Sequence, residues 1–308
     1  MSFLAAELPP PYECRALETS EATAVTGIIN ACEVVDFGEP IAELVDIESD
    51  WARPSFDLAS ESIGVTLDGA LVAVGEVYQG ERAEVYVLPE HRGKGIGSGL
   101  LAWTWALTRH RGSRLVGQTI PDSNAGAAAL FQSHDYWRRW TSWLLEVPPG
   151  GALQWVDPPA GFGIRPFVVG QDEQVTYRVI EDAFDEWPDR LPSTYDDWAP
   201  GVLGRPDFEP WQLLLAVEHG AEEKIVGACH LVMSDDGTGW VNQVAVRADR
   251  RGRGLAQAML VRAFDAAHER GATRRELATD SRTGALGLYE HIGMRVRASF
   301  THWAIEVS

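Results

Sequence analysis

The sequence predicts a mixed α/β protein built as two tandem domains, each a mixed, mostly antiparallel sheet with helices on both faces. Three observations carry this reading. Residues 84–97, EVYVLPEHRGKGIG, and 243–256, QVAVRADRRGRGLA, share one pattern: an alternating apolar strand, a short turn, then an arginine followed by closely spaced small residues. A second pair, Asn124 to Phe131 and Arg282 to Tyr289, repeats at nearly the same offset as a small-residue helix ending in an aromatic. Between the copies, residues 147–161 (VPPGGALQWVDPPAG) are rich in proline and glycine, which interrupt helices and strands. The expected domains are therefore 1–147 and 161–308, joined by a linker at 148–160. Each has about 150 residues, enough to bury its own core.

The elements follow in order. In the first half, a strand near Glu13 precedes helices near 20–32 and 39–48. Strands follow near 62–67, 70–77 and 82–88. In the second half, Phe162 to Phe167 reads as a strand, and Gln174 to Phe184 carries apolar residues at helical spacing. Trp211 to Val217, Ile225 to Met233 and Trp240 to Val246 read as an antiparallel meander separated by polar turns. Each half then closes alike: a helix (Ser98 to Arg109; Gln257 to Arg270), a strand (Arg114 to Thr119; Arg274 to Ala278), the short helix, and a last strand, Ala298 to Ile305 in the second copy. Alternation of strands and helices at these lengths is what assigns the fold class.

Composition narrows the function. The chain has 308 residues, 45% of them apolar and 23% charged, as in a soluble globular protein. Its longest apolar runs fall far short of the roughly 20 residues that cross a bilayer, and the N-terminus lacks the charge pattern of a secretory signal. No membrane association and a cytoplasmic location are the expectation. The net charge of −19 argues against a nucleic-acid partner, which phosphate would draw to a basic face. It suits solubility first and attraction of a cationic substrate second. Cys14, Cys32 and Cys229 form no CxxC pair, and the eight histidines form no HExxH, so neither disulfides nor a metal site is expected. A monomer or homodimer is compatible with all of this.

The two loops carry the chemistry. Arg92-Gly93-Lys94-Gly95-Ile96-Gly97 and Arg251-Gly252-Arg253-Gly254-Leu255-Ala256 each sit between a strand and a helix. Backbone N–H groups at a helix start are unpaired and partly positive, so they bind phosphate oxygens. Glycine or alanine at alternate positions lets the backbone approach the anion. Lys94, Arg250 and Arg253 could add charge there. The Walker spacing GxxxxGK[ST] and the dinucleotide spacing GxGxxG are both absent. What fits is the pyrophosphate loop of coenzyme A acyltransferases, [Q/R]xxGx[G/A].

On these motifs the whole chain resembles the GNAT superfamily of N-acetyltransferases, and more narrowly the tandem-GNAT proteins of actinobacteria, of which mycothiol synthase is the best-known example. The resemblance implies acetyl-CoA as co-substrate, its pantetheine arm paired with the strand before the loop. By carry-over, Val244, Ala245 and Val246 line the arm and Arg251 to Ala256 hold the pyrophosphate. The first-half equivalents are Val85, Tyr86 and Val87, Arg92 to Gly97, and Asn124 in the later motif. The resemblance also implies a tyrosine that protonates the departing thiolate. Tyr289 stands at that position, 35 residues after Gly254, whereas the first half has Phe131, which has no proton to give. The second half is therefore expected to be catalytic and the first degenerate in catalysis.

Two departures stand out. Arg282 replaces the family's asparagine, and Trp240 stands where mycothiol synthase has an acidic residue. Other candidates for the general base are Glu181, Asp182, Asp185, Glu186 and His230, with a water chain as the alternative. Trp187, Trp198, Trp211, Trp240 and Trp303 are candidates to line an acceptor pocket by cation–π contact. The expected function is acetyl transfer from acetyl-CoA to the amine of a small molecule. Acetylation of a cysteinyl amine, as by mycothiol synthase, and a non-catalytic acyl-CoA sensor are the alternatives.

Overall fold

The repeat seen in the sequence folds twice into the same succession of elements, in a computed structural model that describes residues 3–186 and 192–307. The chain divides into two compact units, residues 1–141 with 300–308, and residues 142–299. In chain order the first copy runs β1 (Glu13–Arg15), α1 (Ala22–Asp36), α2 (Leu44–Trp51), α3 (Leu58–Glu61), β2 (Ser62–Leu67), β3 (Ala70–Tyr78), β4 (Arg82–Val87), α4 (Ile96–His110), β5 (Leu115–Pro121), α5 (Ala125–Ser133) and β6 (Trp137–Glu146). The second runs β7 (Phe162–Pro166), α6 (Glu173–Phe184), α7 (Tyr195–Val202), β8 (Leu213–Glu218), β9 (Lys224–Met233), β10 (Thr238–Val246), α8 (Leu255–Glu269), β11 (Arg274–Asp280), α9 (Leu286–His291) and β12 (Arg295–Glu306).

In the first unit β1 to β4 form an antiparallel meander. Strand β5 lies parallel to β4, meeting it at Arg82 opposite Gly117. In the second unit β7 to β10 form the meander, and β11 runs parallel to β10 from Thr238 to Val241. A parallel neighbour after a meander requires a crossover, and α4 and α8 supply it. Their apolar stripes do the work. Leu255, Ala258, Met259, Ala263 and Phe264 of α8 are buried against Leu231, Val241 and Leu277. Ile96, Leu100, Trp103 and Leu107 of α4 are buried against Ile63, Val65, Val77 and Val116. The opposite face of the second meander is covered by α6 and α7 through Val179, Ile180, Trp198 and Val202.

The expected boundaries at 147 and 161 need correction, because the last strand of each copy closes the other unit. In the first unit, β5 pairs antiparallel with Phe300–Glu306 of β12. In the second, β11 pairs antiparallel with Ser142–Glu146 of β6. The expected linker also belongs to the second unit. Leu153 is buried in its core, Trp155 lies under the Arg262 guanidinium, and the Gln154 amide donates to Ile292 O.

Candidate functional site

The second loop starts from glycine geometry. Gly252 and Gly254 have φ of +70° and +83°, a region side chains rarely enter, and a Cβ at Gly252 would meet nothing within 4 Å. Helix α8 begins immediately afterwards with no side-chain cap, so its first amides face open space. Arg251 serves the loop's shape: its Nε donates to Val246 O at 2.9 Å and its Nη1 to Glu186 at 2.5 Å. Arg250 is ion-paired with Glu218 and Asp249, and Arg253 lies over the Phe162 ring.

Strand β10 supplies the next part. Val241 lies opposite Leu231 and Gln243 opposite His230, so Asn242 is an extra residue, a bulge. A bulge leaves one residue unpaired and turns its amide out of the ladder. It falls where the pairing of β10 with β11 ends, and the two strands bound a cleft of about 660 Å³. The cleft is lined by Asn242, Val244, Ala245, Val246, Arg251, Gly252, Gly254, Leu255, Ala256 and Tyr289, among others. It thus brings together Tyr289 and every second-half residue expected to hold acetyl-CoA except Arg253. Its far wall is Ser142, Ala278, Thr279, Asp280 and Thr283, and its end is Ala183 and Phe184 of α6.

Tyr289 is buried, held on the one-and-a-half turns of α9. Burial and the neighbouring Cys229 thiol push its hydroxyl up to about 12, while a hydrogen bond with Thr279 pulls the other way. At neutral pH the phenol is therefore protonated and able to donate. Thr279 in turn shares a 2.9 Å hydrogen bond with Thr283.

The first unit has the same loop without the bulge or the phenol. Gly93 and Gly95 again have positive φ, and Arg92 Nε donates to Val87 O at 3.0 Å. However, β4 pairs with β3 in unbroken register from Arg82 to Val87, with no bulge. Phe131 is buried among Ile120, Tyr136 and Trp303, and Ile120 stands at the repeat position of Thr279.

Comparison with known proteins gives the family. Residues 173–294 match the profile of the acetyltransferase (GNAT) family and 60–138 that of the acetyltransferase (GNAT) domain. Mycothiol acetyltransferase from Kineococcus radiotolerans is 31% identical over 73% of this chain and 72% of its own. The chain belongs to the GNAT acetyltransferases. Mycothiol acetyltransferase from Geodermatophilus obscurus matches at 27% identity over 95% of this chain and 94% of its own. A GCN5-related N-acetyltransferase from Sphaerobacter thermophilus is 32% identical in sequence, covers 98% of this chain and 97% of its own, and superposes with a TM-score of 0.77. A tandem GNAT protein from the clavulanic acid pathway shares the fold at 16% identity, 96% and 99% coverage and a TM-score of 0.71.

Several sequence candidates take other places in this GNAT enzyme. Trp303 lies on β12 in the first unit, its ring against Phe131. Trp211 lies under Arg270, on the α8 side of the sheet. Trp198 is buried on α7 with its Nε1 donating to Gln243 beside the bulge, and Trp187 lies outside the described residues. Trp240 stands level with Glu276 of β11, a buried carboxylate paired with Arg297. Among the base candidates, Glu181 accepts the Ser193 amide and Glu186 holds Arg251, while Asp182 and Asp185 are exposed. Burial, with Arg205 nearby, pushes His230 down to about 3, so it is neutral but a weak base. Arg282 precedes α9 and binds Asp280 in a turn, rather than opening a helix. Among the described residues no cluster of metal-ligating side chains occurs, and no helix is long and apolar enough to cross a membrane.

The sequence reading missed Ser142, Asn242 and Thr279. Ser142 was hidden by the exchanged strand. Asn242 left no signal, because the two strand motifs align without a gap and the bulge shows only in the register of β10 with β9.

Proposed function

We propose that the second unit transfers an acetyl group from acetyl-CoA to a primary amine, and that the acceptor is a cysteinyl amine of the mycothiol type. The observation that carries the reading is the single cleft that joins an uncapped helix start, a strand bulge and a protonated phenol. The fit to acetyl-CoA is chemical. Open space at Gly252 and the free amides of α8 suit a pyrophosphate. The splayed edge of Val244 to Val246 suits the amide-bearing arm. The acceptor class rests on the two mycothiol acetyltransferases, which match over most of their length at about 30% identity.

Acetyl-CoA supplies the thioester. The residues do the rest. The amine, once neutral, forms the C–N bond as the C–S bond breaks. The amides turned out at the bulge stand ready to bind the carbonyl oxygen as its negative charge grows. Tyr289 donates its proton to the departing thiolate. The amine's own proton leaves to solvent, because His230 is too weak a base, Glu181 and Glu186 are engaged, and Asp182 and Asp185 are turned to solvent at the surface.

A cysteinyl acceptor has its own thiol, so product must be read by mass and not by thiol release. The expected result is one added acetyl group with the acceptor thiol still titratable, from acetyl-CoA and a cysteinyl amine. Acetylation of non-cysteinyl amines at equal kcat/KM would remove the mycothiol-type acceptor. Thioester loss with no acetylated amine in any member of a panel would remove amine transfer itself.

A further inference from the structure

We infer that the first unit's cofactor groove is latched shut by its own side chains, so that each chain takes up one coenzyme A, in the second unit; this rests on the acetyl-CoA reading above. Both loops have their arginine held by an acid, Arg92 by Asp36 at the end of α1 and Arg251 by Glu186 just past the end of α6. Asp36 also reaches the far wall. Asp36 Oδ2 accepts from Asn124 Nδ2 at 2.9 Å, and its backbone oxygen accepts from the Ser123 hydroxyl. Ser123 and Asn124 lie between β5 and α5, across the gap from α1. The two walls of the first groove are thus hydrogen-bonded together.

The floor of the groove is closed as well. Gln118 of β5 donates from Nε2 to Val85 O at 3.1 Å. Val87 O accepts from Arg92 Nε, as Val246 O does from Arg251 Nε, and in addition from the Cys32 thiol. The β4 carbonyls that would pair with an incoming amide arm are therefore occupied. At the repeat position of Gln118 the second unit has Leu277, an apolar side chain that cannot reach across to Val244, and at that of Asn124 it has Arg282, which turns back to Asp280. Gln118, Asn124 and Asp36 differ from their counterparts Leu277, Arg282 and Glu186, whereas Ser123 is matched by Ser281 and the phosphate loops share their arginine and glycine spacing.

The test is binding stoichiometry by calorimetry with coenzyme A and the full chain. Wild type is expected to bind one equivalent. Ala256→Glu puts a carboxylate at the α8 start without the positive-φ strain of a Gly254 substitution, and is expected to bind none. In that background, Gln118→Ala with Asp36→Ala opens the first groove and should restore one equivalent; Gln118→Ala alone, which leaves the Arg92 ion pair intact, should restore weaker binding. Thermal melts check that each variant is folded. Two equivalents in wild type, or one retained in Ala256→Glu, would overturn the latch while leaving the acetyltransferase reading intact. A folded double variant that regains nothing would also overturn it. No binding in wild type would overturn the acetyl-CoA reading and the latch with it.

Discussion

Tyr289 and Phe131 occupy the same repeat position and differ by one oxygen, which makes them the sharpest test of where the chemistry lies. Tyr289→Phe removes the proton donor and almost no volume, so the fold should survive. Its kcat should fall by roughly 10- to 10⁴-fold, the span of general acid catalysis, with the KM for acetyl-CoA nearly unmoved. Phe131→Tyr should leave the rate where it was, because its ring is packed under Trp303 and β4 has no bulge. Steady-state kinetics of both variants decide this; full activity in Tyr289→Phe would move the proton donor elsewhere. His230 gives a second prediction at this scale. Its folded pKa of about 3 lies below the unfolded value near 6.5. The unfolded chain therefore binds the extra proton between those values. Stability is fully present above pH 6.5 and is lost as pH falls toward 3, by up to about 1.4 kcal/mol per unit from this group. His230→Gln should flatten that slope in urea titrations run between pH 4 and 7. Residue identity was legible here because tyrosine against phenylalanine is read directly. The pKa of His230 was not, since it depends on Ala228 and Leu231 surroundings that only the packed sheet creates.

At the scale of elements, the bulge in β10 separates the copies as firmly as any side chain. Asn242 is the unpaired residue, and deleting it should give β10 the unbroken register that β4 already has. Because Val241 and Gln243 keep their partners Leu231 and His230, no side chain should change faces, and the sheet should remain. The expected loss is in kcat, roughly 10²- to 10³-fold, the cost of removing one oxyanion donor. Coenzyme A affinity should stay within a few-fold, since the α8 start is untouched. A calorimetric titration beside a kinetic one checks both halves of that claim; equal losses in binding and rate would mean that the deletion collapsed the cleft. Most elements were legible, since α6, α8, β8 to β10 and the loops follow from apolar period and glycine spacing. Helix α7 was missed because Tyr195 to Val202 contains Pro200 and Gly201, which argue against a helix. A capping box, in which Thr194 and Asp197 bond each other's backbone amides, holds it regardless.

On the scale of the whole molecule, the exchange of last strands is the feature that sequence could not carry. A period-2 pattern tells which face of a strand is buried, not which neighbour it joins. Trp137 to Glu146 and Arg295 to Glu306 have equivalent patterns, so each read as the last strand of its own half. The exchange has a consequence for truncation. Removing Phe300 to Ser308 deletes no residue of the 142–299 unit but strips the first unit of β5's partner strand. It also removes Trp303 from under Phe131, Val307 from the core beneath α4, and the Thr301 hydroxyl from Asp122. Loss of a buried tryptophan alone costs about 3–5 kcal/mol, against a total of about 5–15 kcal/mol for a domain. The chain ending at Ser299 should therefore be cut by protease first within residues 1–141, the end of the sequence farthest from the deletion. The 142–299 unit, whose sheet is closed by Ser142 to Glu146, should persist and still bind coenzyme A. Limited proteolysis with mass mapping, followed by calorimetry on the digest, reads both outcomes. First cleavage within 161–299 would mean that the terminal strand supports its own half after all.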